Sequence, residues 1–168
     1  VAQRRGCLFK VDRAGNVAVT VPASQGSEHY PIVVLQAHMD MVCEKADGSH
    51  HDFSKDPIRM VQEGPWIGAR DTTLGADNGI AVALAMAVAT DKSVAHPPLE
   101  LLFTVDEETG LNGAKKLEPG FIEGKVLLNV DSETEGVFTV GCAGDRHTHI
   151  SRKLTLTGTA ERSHVFNL

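Results

Sequence analysis

Apolar residues in this chain come in short blocks separated by polar stretches rich in Gly, Pro, Asp and Ser. Cys7-Leu8-Phe9-Lys10-Val11-Asp12 and Asn16-Val17-Ala18-Val19-Thr20-Val21 flank Arg13-Ala14-Gly15, a pattern that predicts a β-hairpin. After a polar loop, Ile32-Val33-Val34-Leu35-Gln36-Ala37 reads as a strand. A long loop over 42–57 follows, and segments 58–60 and 66–69 predict a second hairpin around Glu63-Gly64. From 80 to 90 the chain is almost wholly Ala, Val, Leu and Met, which predicts a helix buried on most sides. Leu99-Glu100-Leu101-Leu102-Phe103-Thr104, bounded by Pro97-Pro98 and Gly110, is too brief for a helix and reads as a buried strand. A short helix over 110–117 and a further parallel strand over 125–130 complete the alternation. The fold expected is α/β, a mixed and mostly parallel sheet flanked by helices with right-handed crossovers. Beyond Asp131, segments 136–142 and 149–157 also read as strands.

The strand ends carry the chemistry. The Leu99 strand runs into Val105-Asp106-Glu107-Glu108-Thr109-Gly110, so three carboxylates stand where an apolar strand stops. Adjacent acids repel, and keeping them ionised there asks for something positive between them, most simply a metal ion. Taken alone, such a run reads as a solvated acidic turn. Three more segments end the same way: the first parallel strand runs into His38-Met39-Asp40, Leu74-Gly75-Ala76 into Asp77-Asn78-Gly79, and the 125–130 strand into Asp131-Ser132-Glu133. In open α/β sheets, sites form beyond the carboxyl ends of strands. His38 and Asp40, two apart, point the same way, so the acid can orient the imidazole while its other nitrogen binds metal. Asp77, Glu108 and Asp131 are the candidate carboxylate ligands. Glu107, beside a ligand but directed elsewhere, is the candidate proton acceptor. Asp77 also precedes the long helix and is placed to cap it. His50 and His51, in a polar loop, read as solvated or hydrogen-bonded rather than ligating.

Composition narrows the partners. The chain has 168 residues and a formal charge of −6, without a Lys/Arg cluster suited to phosphates, which argues against nucleic acid. No apolar run approaches a membrane span and no signal peptide is visible, which argues against a membrane. Cys7, Cys43 and Cys142 show no metal-knuckle spacing and read as reduced thiols of a cytoplasmic protein. Starting at Val1 without an initiator Met, the chain reads as a fragment of a longer polypeptide.

The four site segments, in this order, resemble the co-catalytic zinc peptidases that include carnosinases and carboxypeptidase G. Finer likenesses over 35–42, 51–58, 72–79 and 140–144 are closest to the bacterial branch acting on Xaa-His dipeptides. The resemblance implies hydrolysis of a carnosine-like dipeptide by water activated between two Zn2+ ions, with Mn2+ or Co2+ as substitutes. It implies that His38 binds one zinc, Asp77 bridges both, Asp131 completes the first site and Glu108 belongs to the second. Asp40 would orient His38, Glu107 would be the general base, and the Asp77-Asn78 peptide would be cis. Residues 1–145 would then be part of a catalytic domain and 146–168 a linker or the start of a lid domain, with homodimer formation open to the full-length protein. Another amidohydrolase such as a deacetylase, or a non-catalytic metal- or partner-binding domain, are the alternatives. The family's second zinc also takes a distant C-terminal His, for which 1–168 offers no counterpart. The lid's opening Gly-Gly-His-Ser-Gly-like segment is only loosely matched over 157–164, and Asp71 stands where glycine is usual.

Overall fold

The structure, a computed structural model, describes residues 7–132, 134–141, 144, 146 and 148–153. The chain divides between 133 and 134 into two units, and all regular elements among the described residues lie in the first. Strands β1 (Leu8–Val11) and β2 (Val17–Val21) form the expected antiparallel hairpin, turned at Gly15 with φ 99°. β3 (Val33–His38) is the first site-bearing strand, and β4 (Met60–Glu63) pairs with β5 (Trp66–Ala69) as a separate hairpin. Helix α1 (Ala76–Thr90) precedes β6 (Leu99–Thr104), a short helix α2 (Asn112–Lys115) and β7 (Val126–Asn129). The main sheet runs β1-β2-β6-β3-β7, with β3 parallel to both β6 and β7 and β2 antiparallel to β6.

β6 explains why its sequence shows no alternation. Leu99, Leu101 and Phe103 face one side, where they pack with Val19, Val21, Ala37, Ala81 and Ala85; Leu102 faces the other with Ala18, Val34 and Phe121. Side chains alternate across the pleat, but both faces are covered, so every residue of β6 is buried. Each large apolar side chain buried this way contributes about 1.5–3 kcal/mol. Glu100, also buried, accepts backbone N–H bonds from Glu123 and Gly124, both 2.8 Å, which tie the approach to β7 to the start of β6.

Two expectations are corrected. α1 is not buried on most sides: Ala81 and Ala85 pack against the sheet, while Ile80 is 69% and Leu84 49% exposed. The sheet covers one face of the helix, and among the described residues nothing covers the other. Residues 136–141 and 149–153 form no strand, because among the described residues they have no ladder partner; Phe138, Val140 and Ile150 are exposed. The remainder of the expected last strand, Cys142 and the 157–164 segment lie outside the described residues. Cys7 and Cys43 are free thiols. No helix among the described residues is long and apolar enough to cross a membrane.

Candidate metal centre

β3, β6 and β7 point the same way, so their carboxyl ends share one rim of the sheet. His38 closes β3 and is 1% exposed. Its Nε2 lies 3.0 Å from Asp77 Oδ1, 3.8 Å from Asp131 Oδ2 and 3.9 Å from Glu107 Oε2. The rim thus brings together residues far apart in the chain. Two groups, His38 with Glu107 and Glu108, and His38 with Asp77 and Asp131, each place their donor atoms within 4.8 Å of one another. Imidazole nitrogen with carboxylate oxygens is a donor set suited to zinc, manganese or cobalt. His50 and His51 join neither group; the His51 ring packs edge-on against Phe53.

The other nitrogen of His38 is held by Asp40 through its backbone: Nδ1 is 2.9 Å from the Asp40 carbonyl oxygen and 3.4 Å from the carboxylate. A carbonyl oxygen can only accept, so Nδ1 carries a proton and Nε2 is the nitrogen turned toward the carboxylates. The Asp40 carboxylate turns to the acidic loop, where Oδ1 and Oδ2 accept the N–H groups of Glu107 and Glu108, each 3.1 Å. Burial pushes the Asp40 pKa up, but the backbone N–H groups of Glu107, Glu108 and Asp40 and the nearby His38 together hold it below the ordinary carboxylate value.

Asp77 does not cap α1. The N-cap position is Gly75, in the left-handed region at φ 76°, and no side chain bonds the first turn. Asp77 and Asn78 leave helical geometry, and the peptide between them is cis. The Asp77 carboxylate faces His38, with Oδ1 at 3.0 Å from Nε2, rather than the helix N–H groups. The left-handed φ of Gly75 is what calls for glycine in this turn; the nearest neighbour of a Cβ there would be the flexible Met41 side chain.

Electrostatics at the rim are unbalanced. Burial opposes the charged form of His38, but the Asp77 hydrogen bond, Asp131, the Asp40 carbonyl and Glu107 together raise its pKa. Burial raises Glu107, with Glu108, Asp131 and Asp40 adding to the push and His38 opposing it. Asp131 is raised chiefly by burial, with Asp77 adding and His38 opposing. A cluster with one imidazole against several carboxylates is the situation a bound cation relieves. The cluster borders a cavity of about 470 Å³ lined by Asp77, Asn78, Ile80, Glu107, Asp131 and Ser132.

Asn78 was not anticipated from sequence. Its amide donates to the Val130 carbonyl at 3.3 Å and to Asp131 Oδ1, fixing the Asp131 carboxylate beside Asp77. Its only sequence signal is its place next to a candidate ligand.

Residues 34–150 match the model of peptidase family M20/M25/M40. The chain belongs to this family. It is 44% identical over 161 residues to the cytosol non-specific dipeptidase of Escherichia coli, which takes in 94% of this chain and 33% of that protein. Among solved structures, the aminoacylhistidine dipeptidase of Vibrio alginolyticus matches with a TM-score of 0.77 at 48% identity, over 80% of this chain and 28% of that one. Aminopeptidase PepT of Bacillus cereus matches with a TM-score of 0.62 at 27% identity, over 79% and 35%. The chain thus spans about a third of the length of the curated dipeptidase it matches. The family is metal-dependent, and the rim gives this member a group of residues able to hold a metal.

Proposed function

We propose that this chain is part of the catalytic domain of a cytoplasmic metal-dependent dipeptidase acting on Xaa-His dipeptides, with Zn2+ as the ion and two ions per complete site. The observation that carries the reading is the convergence on His38 Nε2 of Asp77, Asp131 and Glu107, with Glu108 beside them, at one rim of the sheet. Such ions, when bound, polarise a scissile carbonyl and make water acidic enough to attack near neutral pH. The chain's own residues supply the remaining parts.

In this reading His38, Asp77 and Asp131 would hold one ion and Glu108 would belong to the second, with Asp77 shared between them. Asp40 fixes the His38 tautomer through its carbonyl and the acidic loop through its carboxylate. Glu107 is the general base: its carboxylate borders the cavity, and its raised pKa brings it closer to the working pH than an ordinary glutamate. It takes the proton of the attacking water and returns it to the leaving amine. Residues 1–145 belong to the catalytic part in this reading, and 146–168 to a linker or the start of a lid that would bind the dipeptide's carboxylate.

The test is hydrolysis of an Xaa-His dipeptide by a full-length polypeptide carrying this chain, measured with and without a chelator. Chelator-sensitive cleavage restored by Zn2+ is expected. Cleavage indifferent to chelation would reject the metal assignment, and release of acetate from N-acetyl amino acids without dipeptide cleavage would favour a deacetylase.

A further inference from the structure

The turn of the β1–β2 hairpin ends on a buried amide. Asn16 is 0% exposed, one of a few buried polar residues among the described ones, with His38, Asn78, Glu100 and Thr104. Its Nδ2 donates to the Gly113 carbonyl at 2.9 Å and to Asp12 Oδ2 at 2.7 Å, while its Oδ1 accepts the Val105 N–H at 3.1 Å. Val105 and Gly113 are the two ends of the loop that carries Glu107 and Glu108, and they bond each other through Gly113 N–H to Val105 O at 2.9 Å. One amide therefore clasps both ends of the acidic loop.

The clasp is itself held. Asp12 Oδ1 accepts the backbone N–H groups of Ala14, Gly15 and Asn16, each 2.9 Å, and Oδ2 takes the Asn16 amide. Space is as tight as the bonding: a Cβ on Gly113 would lie 2.5 Å from Asn16 Oδ1 and would collide with the Val105 carbonyl oxygen. At the loop's apex the Asp40 carboxylate grips the N–H groups of Glu107 and Glu108. The loop is thus fixed at its ends by the hairpin turn and at its apex by Asp40 just beyond β3.

We infer that Asn16 is a positioning residue for the metal centre, holding the 105–113 loop so that Glu107 and Glu108 stand at donor distance from His38. Asn suits this place because it donates twice and accepts once from a single rigid head; Asp cannot donate, and Ala offers neither function. The part of the inference that concerns metal rests on the reading of the rim as a metal centre, while the part that concerns loop order does not.

The test compares the 168-residue chain with its Asn16→Ala, Asp12→Asn and Gly113→Ala variants. Gly124→Ala is the control, because a Cβ there would meet Val34 Cγ2 at 2.5 Å, a clash with a buried side chain at the opposite end of the sheet. Amide exchange at Glu107 and Glu108 is read by NMR against Glu123 and Gly124, and Co2+ binding is read from its visible spectrum. Asn16→Ala and Gly113→Ala are expected to speed exchange at Glu107 and Glu108 by at least about tenfold and to alter the cobalt spectrum. Gly124→Ala is expected to speed exchange at Glu123 and position 124 and leave the cobalt spectrum alone. Asp12→Asn, at a half-exposed position, gives a smaller change of the same kind and stands in should the buried variants fail to fold. Exchange that rises uniformly over the chain in every variant, or is unchanged in Asn16→Ala, overturns the inference. A wild-type chain that binds no Co2+ while its variants still show the local exchange pattern rejects the metal reading and upholds the clasp.

Discussion

Asp40 and Glu100 perform the same local task at opposite ends of the sheet. Each carboxylate accepts two consecutive backbone N–H groups from a loop that enters or leaves a strand. At the Glu100 end the pairing is complete in itself, and among the described residues Glu100 joins no group of metal-ligand donors. At the Asp40 end the same pairing delivers two further glutamates into the company of His38, Asp77 and Asp131, and the charges of that group do not cancel. A satisfied buried carboxylate is a structural fixture, whereas carboxylates packed together without enough cations mark a place for an ion.

The sharpest way to break this contrast is to neutralise acids at the rim one at a time. In a full-length polypeptide, Glu107→Gln is expected to lower kcat for an Xaa-His dipeptide by about 10²–10⁴-fold with metal content unchanged. Glu108→Gln should instead lose metal from one site, with partial recovery on adding excess ion. Metal analysis beside kcat distinguishes the two, and the reverse pattern would exchange their roles.

His38→Ala removes the residue common to both donor groups. Calorimetric titration of Zn2+ should show a loss of affinity beyond the roughly 10–100-fold that follows removal of an outer partner. An unchanged isotherm would place the ion elsewhere.

Glu100→Gln probes the other end. Both backbone donors meet the same oxygen, so Gln replaces a charged acceptor with a neutral carbonyl, and a stability loss of about 1–3 kcal/mol is expected with Zn2+ affinity intact. Denaturant unfolding beside the same titration measures both, and a fall in affinity as large as that of His38→Ala would erase the distinction between the two ends.

The smallest effect concerns pH. In the metal-free chain the folded-state pKa values of His38, Glu107 and Asp131 are all raised. A group with a raised folded pKa contributes stability below its unfolded pKa and loses it as pH rises through the folded value. Stability of the metal-free chain should therefore decline as pH rises from the ordinary carboxylate values of about 4 up through the ordinary imidazole value of about 6.5. Saturating Zn2+ should flatten or reverse that slope, since ligands bind deprotonated. Equal slopes with and without metal would mean that the rim does not hold it.

Much of this was legible in the sequence because it rests on local rules. Gly15 between two alternating runs announces the hairpin, and the apolar run of β6 between Pro97-Pro98 and an acidic turn announces a strand covered on both faces. Strand ends carrying His38, Asp106-Glu107-Glu108 and Asp131 point to one rim once the strands are parallel. The helix was legible as an element but not in its burial, since the packing of Ile80 and Leu84 depends on what lies across from them. Residues 136–141 and 149–153 show the same limit: strand-like sequence gives no strand without a neighbour to complete its hydrogen bonds.

The sequence by itself determined which candidate donors stand at strand ends and the order in which the chain presents them, because short-range patterning decides where strands stop. Only the tertiary structure decided that Asp77 turns to His38 instead of capping α1, that Asp40 orients the imidazole through its carbonyl and spends its carboxylate on the Glu107 and Glu108 amides, and that Asn16 reaches from the far hairpin to close the acidic loop. Those choices depend on angles and separations of a few tenths of an ångström between residues up to 97 positions apart, and a hydrogen bond that sensitive to geometry is fixed by packing, not by neighbours along the chain.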